Sequence, residues 1–210
     1  MMKRAPLASV SLLVLLGGCS TTGTSAPTVP QLSEAKGAAL DRCTDLSTQF
    51  RFANTTIASA ATVAAGSLTL AGKPVAEHCL VKGSMYKRVG SDGKDYAISF
   101  EMRLPKDWSG RYFYQANGGL DGNVSTAVGA FGGGPITGAL AQGFAVISSD
   151  AGHTGAQTTA FGFEPVARLD YGYQAVAKLT PMAKDLIKTA YGKLPDRSYI
   201  GGCSNGGRHT

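Results

Sequence analysis

The chain has 210 residues, 43% of them hydrophobic and 16% charged, with a formal net charge of +6. That balance suits one globular domain with a sizeable core and argues against disorder. Beyond the first few residues Lys and Arg are scattered with no basic stripe among aromatics, which sets nucleic-acid binding aside, and the 28 glycines follow no Gly-X-Y period, which excludes a collagen-like rod.

In chain order, the first element is an export signal. Lys3 and Arg4 form a positive start, Ala5 to Leu16 an apolar run, and Leu16-Gly17-Gly18-Cys19 its end. About a dozen apolar residues are too few to cross a bilayer but suit the apolar region of a signal peptide. The closing four residues have the form of a bacterial lipobox. Residues 1–18 are therefore expected to be removed and Cys19 to carry a lipid, whose acyl chains hold to a leaflet at ~0.8 kcal/mol per buried CH₂. The expected location is the periplasm or cell surface on that anchor. Plain secretion follows if Cys19 is an ordinary cysteine. Residues 19–31, rich in Ser, Thr, Gly and Pro, read as a flexible tether. Residues 32–210 form the domain.

Within the domain, Ala35 to Thr48 reads as a short helix. Ser67 to Leu70, Cys79 to Tyr86 and Tyr96 to Leu104 read as strands, the last by its alternation of polar and apolar residues. After a turn cluster at 104–110 the rhythm changes. Arg111 to Ala116 is a strand, residues 117–122 a glycine loop, Ile136 to Gln142 a short helix and Phe144 to Ser148 a buried strand. Tyr171 to Tyr191 places Val176, Leu179, Ala183, Leu186, Ile187 and Ala190 at three- and four-residue spacing, a helix that Gly192 ends. Arg197 to Ile200 is a further strand. Strands alternating with helices predict an α/β fold with a mostly parallel sheet and flanking helices.

Four cysteines remain to be placed. With Cys19 set aside for lipid, Cys43 and Cys79 are the natural disulfide pair in an oxidising compartment. The alternative is that both are small buried residues. Cys203 is left over.

The last strand runs into Gly202-Cys203-Ser204-Asn205-Gly206. Gly-x-Ser-x-Gly at a strand end is the nucleophile elbow of α/β-hydrolases. The turn is tight, so side chains two places either side of the serine would collide. The serine then opens a helix whose N–H groups favour negative charge. Ser204 is the candidate nucleophile, and the Asn205 amide the first oxyanion donor. Gln115-Ala116-Asn117-Gly118-Gly119 ends the earlier strand, and in this fold the loop after that strand is expected to supply the second. Asp150 and His153 precede the serine, against the Ser–acid–His order, and read as a structural hydrogen-bonding turn. His78 reads as a surface residue. His209, five residues after Ser204 on the elbow helix, is badly placed as a base. No acid and base follow Ser204, so the chain is expected to be truncated just after the elbow.

These residues resemble the tannase and feruloyl esterase family. The resemblance runs from about Cys43 onward. It rests on Arg111-Tyr112-Phe113 leading into 115–119, on Gly143 to His153, and on Tyr199 to Arg208, with the cysteine directly before the nucleophile its most specific element. It implies an α/β-hydrolase with a lid inserted after the elbow. Ser204 would be the nucleophile, and Asn205 and Gly119 the oxyanion positions. Cys43 and Cys79 would form the N-terminal disulfide. Cys203 would pair with a cysteine beside the catalytic histidine, outside this chain. Acid, histidine, lid and calcium ligands would all fall beyond Thr210, so no cofactor is assigned within it. The implied activity is serine-dependent hydrolysis of phenolic or aromatic acid esters. The partner is a small ester, with no nucleic acid and no membrane contact beyond the lipid. An acyltransferase or polyester depolymerase with the same elbow is one alternative, an inactive surface lipoprotein the other.

Overall fold

One six-stranded sheet organises the domain. Its strands are β1 (Thr55–Val63), β2 (His78–Val89), β3 (Asp95–Pro105), β4 (Arg111–Ala116), β5 (Ala145–Ser149) and β6 (Arg197–Gly202), in the order β6-β4-β5-β3-β2-β1. The structure is a computed structural model describing residues 32–130 and 137–210, of which Glu34–Thr210 form one unit. The expected signal peptide, Cys19 and tether lie outside the described residues, as does the start of the short helix expected at Ile136.

The α/β class stands, but the described sheet is mixed rather than mostly parallel. β6 pairs β4, and β4 pairs β5, in parallel. The other pairings, β5 with β3, β3 with β2 and β2 with β1, are antiparallel. For β2 and β3 a short connection is the cause. β2 and β3 are joined by a tight turn closed by the Gly90 N–H donating to the Lys94 carbonyl at 2.8 Å, and so short a link permits only antiparallel pairing. Parallel pairing appears only where a long crossover returns the chain, as through α3 (Ala175–Tyr191) into β6.

β5 is buried along its whole length, which explains its apolar Ala-Val-Ile run: both faces of a central strand are covered. α3 buries Leu179, Met182, Ala183, Leu186 and Ile187 against Tyr112, Tyr114 and Ile147 of the sheet, in one core. Gly192, at φ 76°, ends the helix in the left-handed region that favours glycine. The helical path starts earlier than expected, at Pro165. α2 (Pro165–Leu169) is capped by Glu164, whose carboxylate accepts from the Ala167 N–H at 2.6 Å, and widens through a π turn at Asp170–Gln174 into α3.

The expected helix at Ala35 to Thr48 shrinks to α1 (Leu46–Gln49). Upstream, Ala38–Ala39 runs extended and pairs antiparallel with Asp107–Trp108. There Gly37 passes so close to the Trp108 carbonyl that a side chain would collide with it. Cys43 is joined to Cys79 by a disulfide, which ties this segment to β2.

His78 is buried, against the surface position expected of it. It sits at the head of β2 in an ionic network that sequence does not reveal. Its Nδ1 lies 2.8 Å from the Ala76 carbonyl, and its Nε2 lies 2.8 Å from Arg103 Nη1. Arg103 Nε donates to Glu101 Oε1 at 2.9 Å, which also accepts from the Ala127 N–H at 2.7 Å. The neutral Nδ1–H imidazole satisfies both neighbours. Burial, helped by the Arg103 charge, lowers the His78 pKa from 6.5. The unfolded chain then takes a proton that the folded one resists, so this site costs stability as pH falls below about 6.5. Denaturant unfolding at about pH 8 and about pH 5 should show that loss, and His78→Gln, which keeps an acceptor for Arg103, should lack it. An equal acid loss in both proteins would remove His78 as its source.

Candidate active site

β6 ends at Gly202 beside Ala116, the end of β4, so both strands deliver their following loops to the same edge of the sheet. The turn after β6 holds Ser204 at φ 56° and ψ −123°. A serine gains nothing locally from that conformation, which costs on the order of 1–3 kcal/mol and persists only where surroundings impose it. The surroundings are the flanking glycines. A Cβ on Gly202 would lie 2.6 Å from the Ala116 carbonyl oxygen, and one on Gly206 would collide with the same oxygen. The chain therefore passes directly over the end of β4, and α4 (Asn205–Arg208) starts at once. The Gly206 N–H donates to the Cys203 carbonyl at 2.9 Å, and the Gly207 N–H to the Ser204 carbonyl at 3.0 Å.

The loop after β4 meets this turn. A Cβ on Gly118 would stand 3.4 Å from the Cys203 carbonyl oxygen. Gln115 and Asn117 brace the loop. Asn117 Nδ2 donates to the Ser149 carbonyl at 2.8 Å, and Gln115 Oε1 accepts from the Gly129 N–H at 2.8 Å. Gly119 takes φ 65°. Among the described residues, neither the Gly119 nor the Asn205 N–H donates to a protein acceptor. An open cleft of about 500 Å³ lies between loop and elbow, with Gln115, Asn117, Gly118, Asp121, Asn123 and Ser204 on its wall. Cys203 lines the same cleft as a free, exposed thiol.

None of the three histidines bonds Ser204 among the described residues. His78 belongs to the network at the head of β2. His153 stacks on Phe161 at 3.6 Å between ring centroids. Its neighbour Asp150 makes the structural turn expected of it: Oδ1 accepts from the Ser99 N–H and the Gly152 N–H, each at 2.9 Å. Burial raises its pKa to about 6 against the pull of those hydrogen bonds. His209 faces Asp121, Nε2 to Oδ2 at 3.3 Å. Asp121, which sequence reasoning passed over, also accepts from Asn205 Nδ2 at 2.8 Å. Its signal was available: an acid inside a glycine loop two residues from the candidate oxyanion donor Gly119. Among the described residues no three or more His, Cys, Asp or Glu side chains gather as an ion site. Nor is any described helix long and apolar enough to cross a membrane.

The geometry agrees with comparisons to known proteins. Residues 79–210 match the family described as tannase and feruloyl esterase. The chain is 41% identical over 152 residues to a mono(2-hydroxyethyl) terephthalate hydrolase of Piscinibacter sakaiensis, covering 69% of this chain and 25% of that protein. It is 30% identical over 175 residues to feruloyl esterase B of Aspergillus niger, covering 80% and 32%. The crystal structure of feruloyl esterase B from Aspergillus oryzae superposes with a TM-score of 0.65 at 26% identity, covering 80% of this chain and 32% of that one. The chain thus spans about a quarter to a third of the length of these relatives. Because the matched stretch runs from the start of β2 through the elbow, the chain belongs to the tannase and feruloyl esterase family.

Proposed function

We propose that this chain carries the nucleophile and oxyanion hole of a serine hydrolase that cleaves small esters of phenolic or aromatic acids. One observation carries the reading. Ser204 is held in a strained turn over an open cleft, and the N–H groups of Asn205 and Gly119 donate to no described residue.

In this reading Ser204 Oγ attacks the ester carbonyl carbon and gives its proton to a histidine outside the described residues. The Asn205 and Gly119 amides hold the negative oxygen. Such donors matter because they are fixed before charge develops, and losing one typically costs about 10²–10³ in kcat. The C–O bond to the alcohol then breaks, and the histidine proton leaves with that alcohol. Water attacks the acyl-serine, the same base takes its proton, and the free acid departs. Cys203 would pair with a cysteine outside the described residues, fixing the elbow from one side. The aromatic preference rests on the family and on what the relatives are named for.

The test uses the whole protein that carries this chain, incubated with a fluorophosphonate probe and with the methyl ester of a hydroxycinnamic acid. Covalent labelling together with acid release is the expected result. Failure of both would overturn the reading.

Export on a lipid anchor belongs to the same proposal, carried by the Lys3-Arg4 start and the run ending at Cys19. Cells fed radiolabelled palmitate should label the protein and not its Cys19→Ala variant. Equal labelling would remove the anchor.

A further inference from the structure

We propose that Asp121 is a positioning residue that keeps the two oxyanion amides in register; the inference rests on the ester-hydrolase reading above. β4 and β6 are tied as far as Ala116 and Gly202. Beyond that point each chain enters its own loop, one bearing Gly119 and the other Asn205. Among the described residues, the hydrogen bonds between these two loops all end on the Asp121 carboxylate. Its Oδ2 accepts from Asn205 Nδ2 at 2.8 Å and faces His209 Nε2 at 3.3 Å.

Both ends of this tie are built to hold position. On the loop side, the Asp121 N–H donates to the Gly118 carbonyl at 3.3 Å, closing a turn that contains Gly119. Asp121 itself sits at φ 56°, in the left-handed region that aspartate enters more readily than most residues with a side chain, which suits it to this turn. On the elbow side, Asn205 Oδ1 accepts from Tyr171 OH at 3.2 Å and from Arg208 Nε at 2.8 Å. Arg208 in turn donates to the Gly172 carbonyl at 3.0 Å and the Tyr171 carbonyl at 3.1 Å, both in the π turn. The Asn205 side chain is thus held through both its nitrogen and its oxygen, and its backbone N–H donates to no described residue.

Burial gives the tie its strength. The Asp121 side chain is 2% exposed and that of His209 is 4%. Water competes little for these contacts, and a carboxylate is the stronger kind of acceptor. Two amides acting on one oxyanion must agree in position, since a shift of about 1 Å can cost roughly 10²-fold in rate. Asp121 supplies that agreement without touching the substrate oxygen.

The test is made on the whole enzyme, with hydrolysis of the hydroxycinnamate methyl ester as the readout. Asp121→Ala should lower kcat by about 10–100-fold while KM stays within about threefold, because transition-state contacts are lost and ground-state binding is not. Asp121→Asn keeps an oxygen that can accept from Asn205 and should stay within about threefold of wild type. Asn205→Ala keeps the backbone amide and removes the tie from the other side. It should lower kcat alone, and the double variant Asp121→Ala/Asn205→Ala should be no worse than its worse parent. Wild-type kcat in Asp121→Ala, or additive losses in the double variant, would overturn the proposal. If Asp121→Ala does not fold, Asn205→Ala decides: unchanged kcat overturns the proposal, and a fall in kcat at constant KM upholds it. A wild-type enzyme that neither hydrolyses the ester nor takes the fluorophosphonate label would sink the ester-hydrolase reading itself. That failure is distinct from one confined to these variants.

Discussion

Replacing Ser204 by alanine is expected to lower kcat for ester hydrolysis by about 10⁴–10⁶-fold in the whole enzyme, and to abolish fluorophosphonate labelling. The magnitude follows from what the hydroxyl does. In the proposed mechanism it is the atom that forms the covalent intermediate, and without it the oxyanion donors would give only the residual rate of a site without a nucleophile. Folding should not suffer. Ser204 Oγ makes no hydrogen bond to another described residue, and the residue is exposed. Alanine also tolerates φ 56° no worse than serine does. The variant should therefore keep its unfolding midpoint and lose its chemistry. Retained hydrolysis would mean that another residue is the nucleophile, whatever the turn looks like.

Gly206→Ala should be strongly damaging although glycine carries no reactive group. Its new methyl would collide with the Ala116 carbonyl oxygen and stand 2.9 Å from that of Asn117. Both obstacles are backbone at the end of β4, so neither can rotate away. The elbow must lift off the sheet, carrying the Asn205 amide away from Gly119. We expect about 10²-fold lower kcat and about 1–3 kcal/mol lower stability. Gly207→Ala is the control. Its methyl would meet nothing nearer than the Gly202 carbonyl oxygen at 3.6 Å, an ordinary contact. It should behave nearly as wild type. Equal damage from both would show that alanine harms the short helix generally, and that the approach to Ala116 is not the constraint.

The contrast between these glycines explains how much of the site could be read in advance. Gly-x-Ser-x-Gly at a strand end marks a turn whose demands are local, so Ser204 and its two flanking glycines stand out in sequence. The strand ending at Ala116 and the helix ending at Gly192 were equally legible, because one carries aromatic and β-compatible residues throughout and the other a 3.6-residue apolar period. β1 was not legible. Thr55–Val63 is rich in Ala, Ser and Thr and lies at the sheet edge, partly exposed, so no apolar alternation marks it. The helix expected near Ala35 failed for the opposite reason. Its helix-forming alanines were overruled by pairing with Asp107–Trp108.

By itself, then, the sequence determined the features that depend on near neighbours: the α/β class, the Gly-x-Ser-x-Gly turn at a strand end and the buried β5. Only the tertiary structure decided the features that join distant segments. The mixed pairing of the sheet depends on which connections are short. The burial of His78 depends on Arg103 arriving from the next strand at 2.8 Å. The role of Asp121 depends on Asn205, 84 residues away, meeting it at the open end of two parallel strands. Period and turn chemistry act over a few residues and leave a pattern in the chain. A buried charge and its partner are chosen by packing, and no spacing in the sequence records that choice.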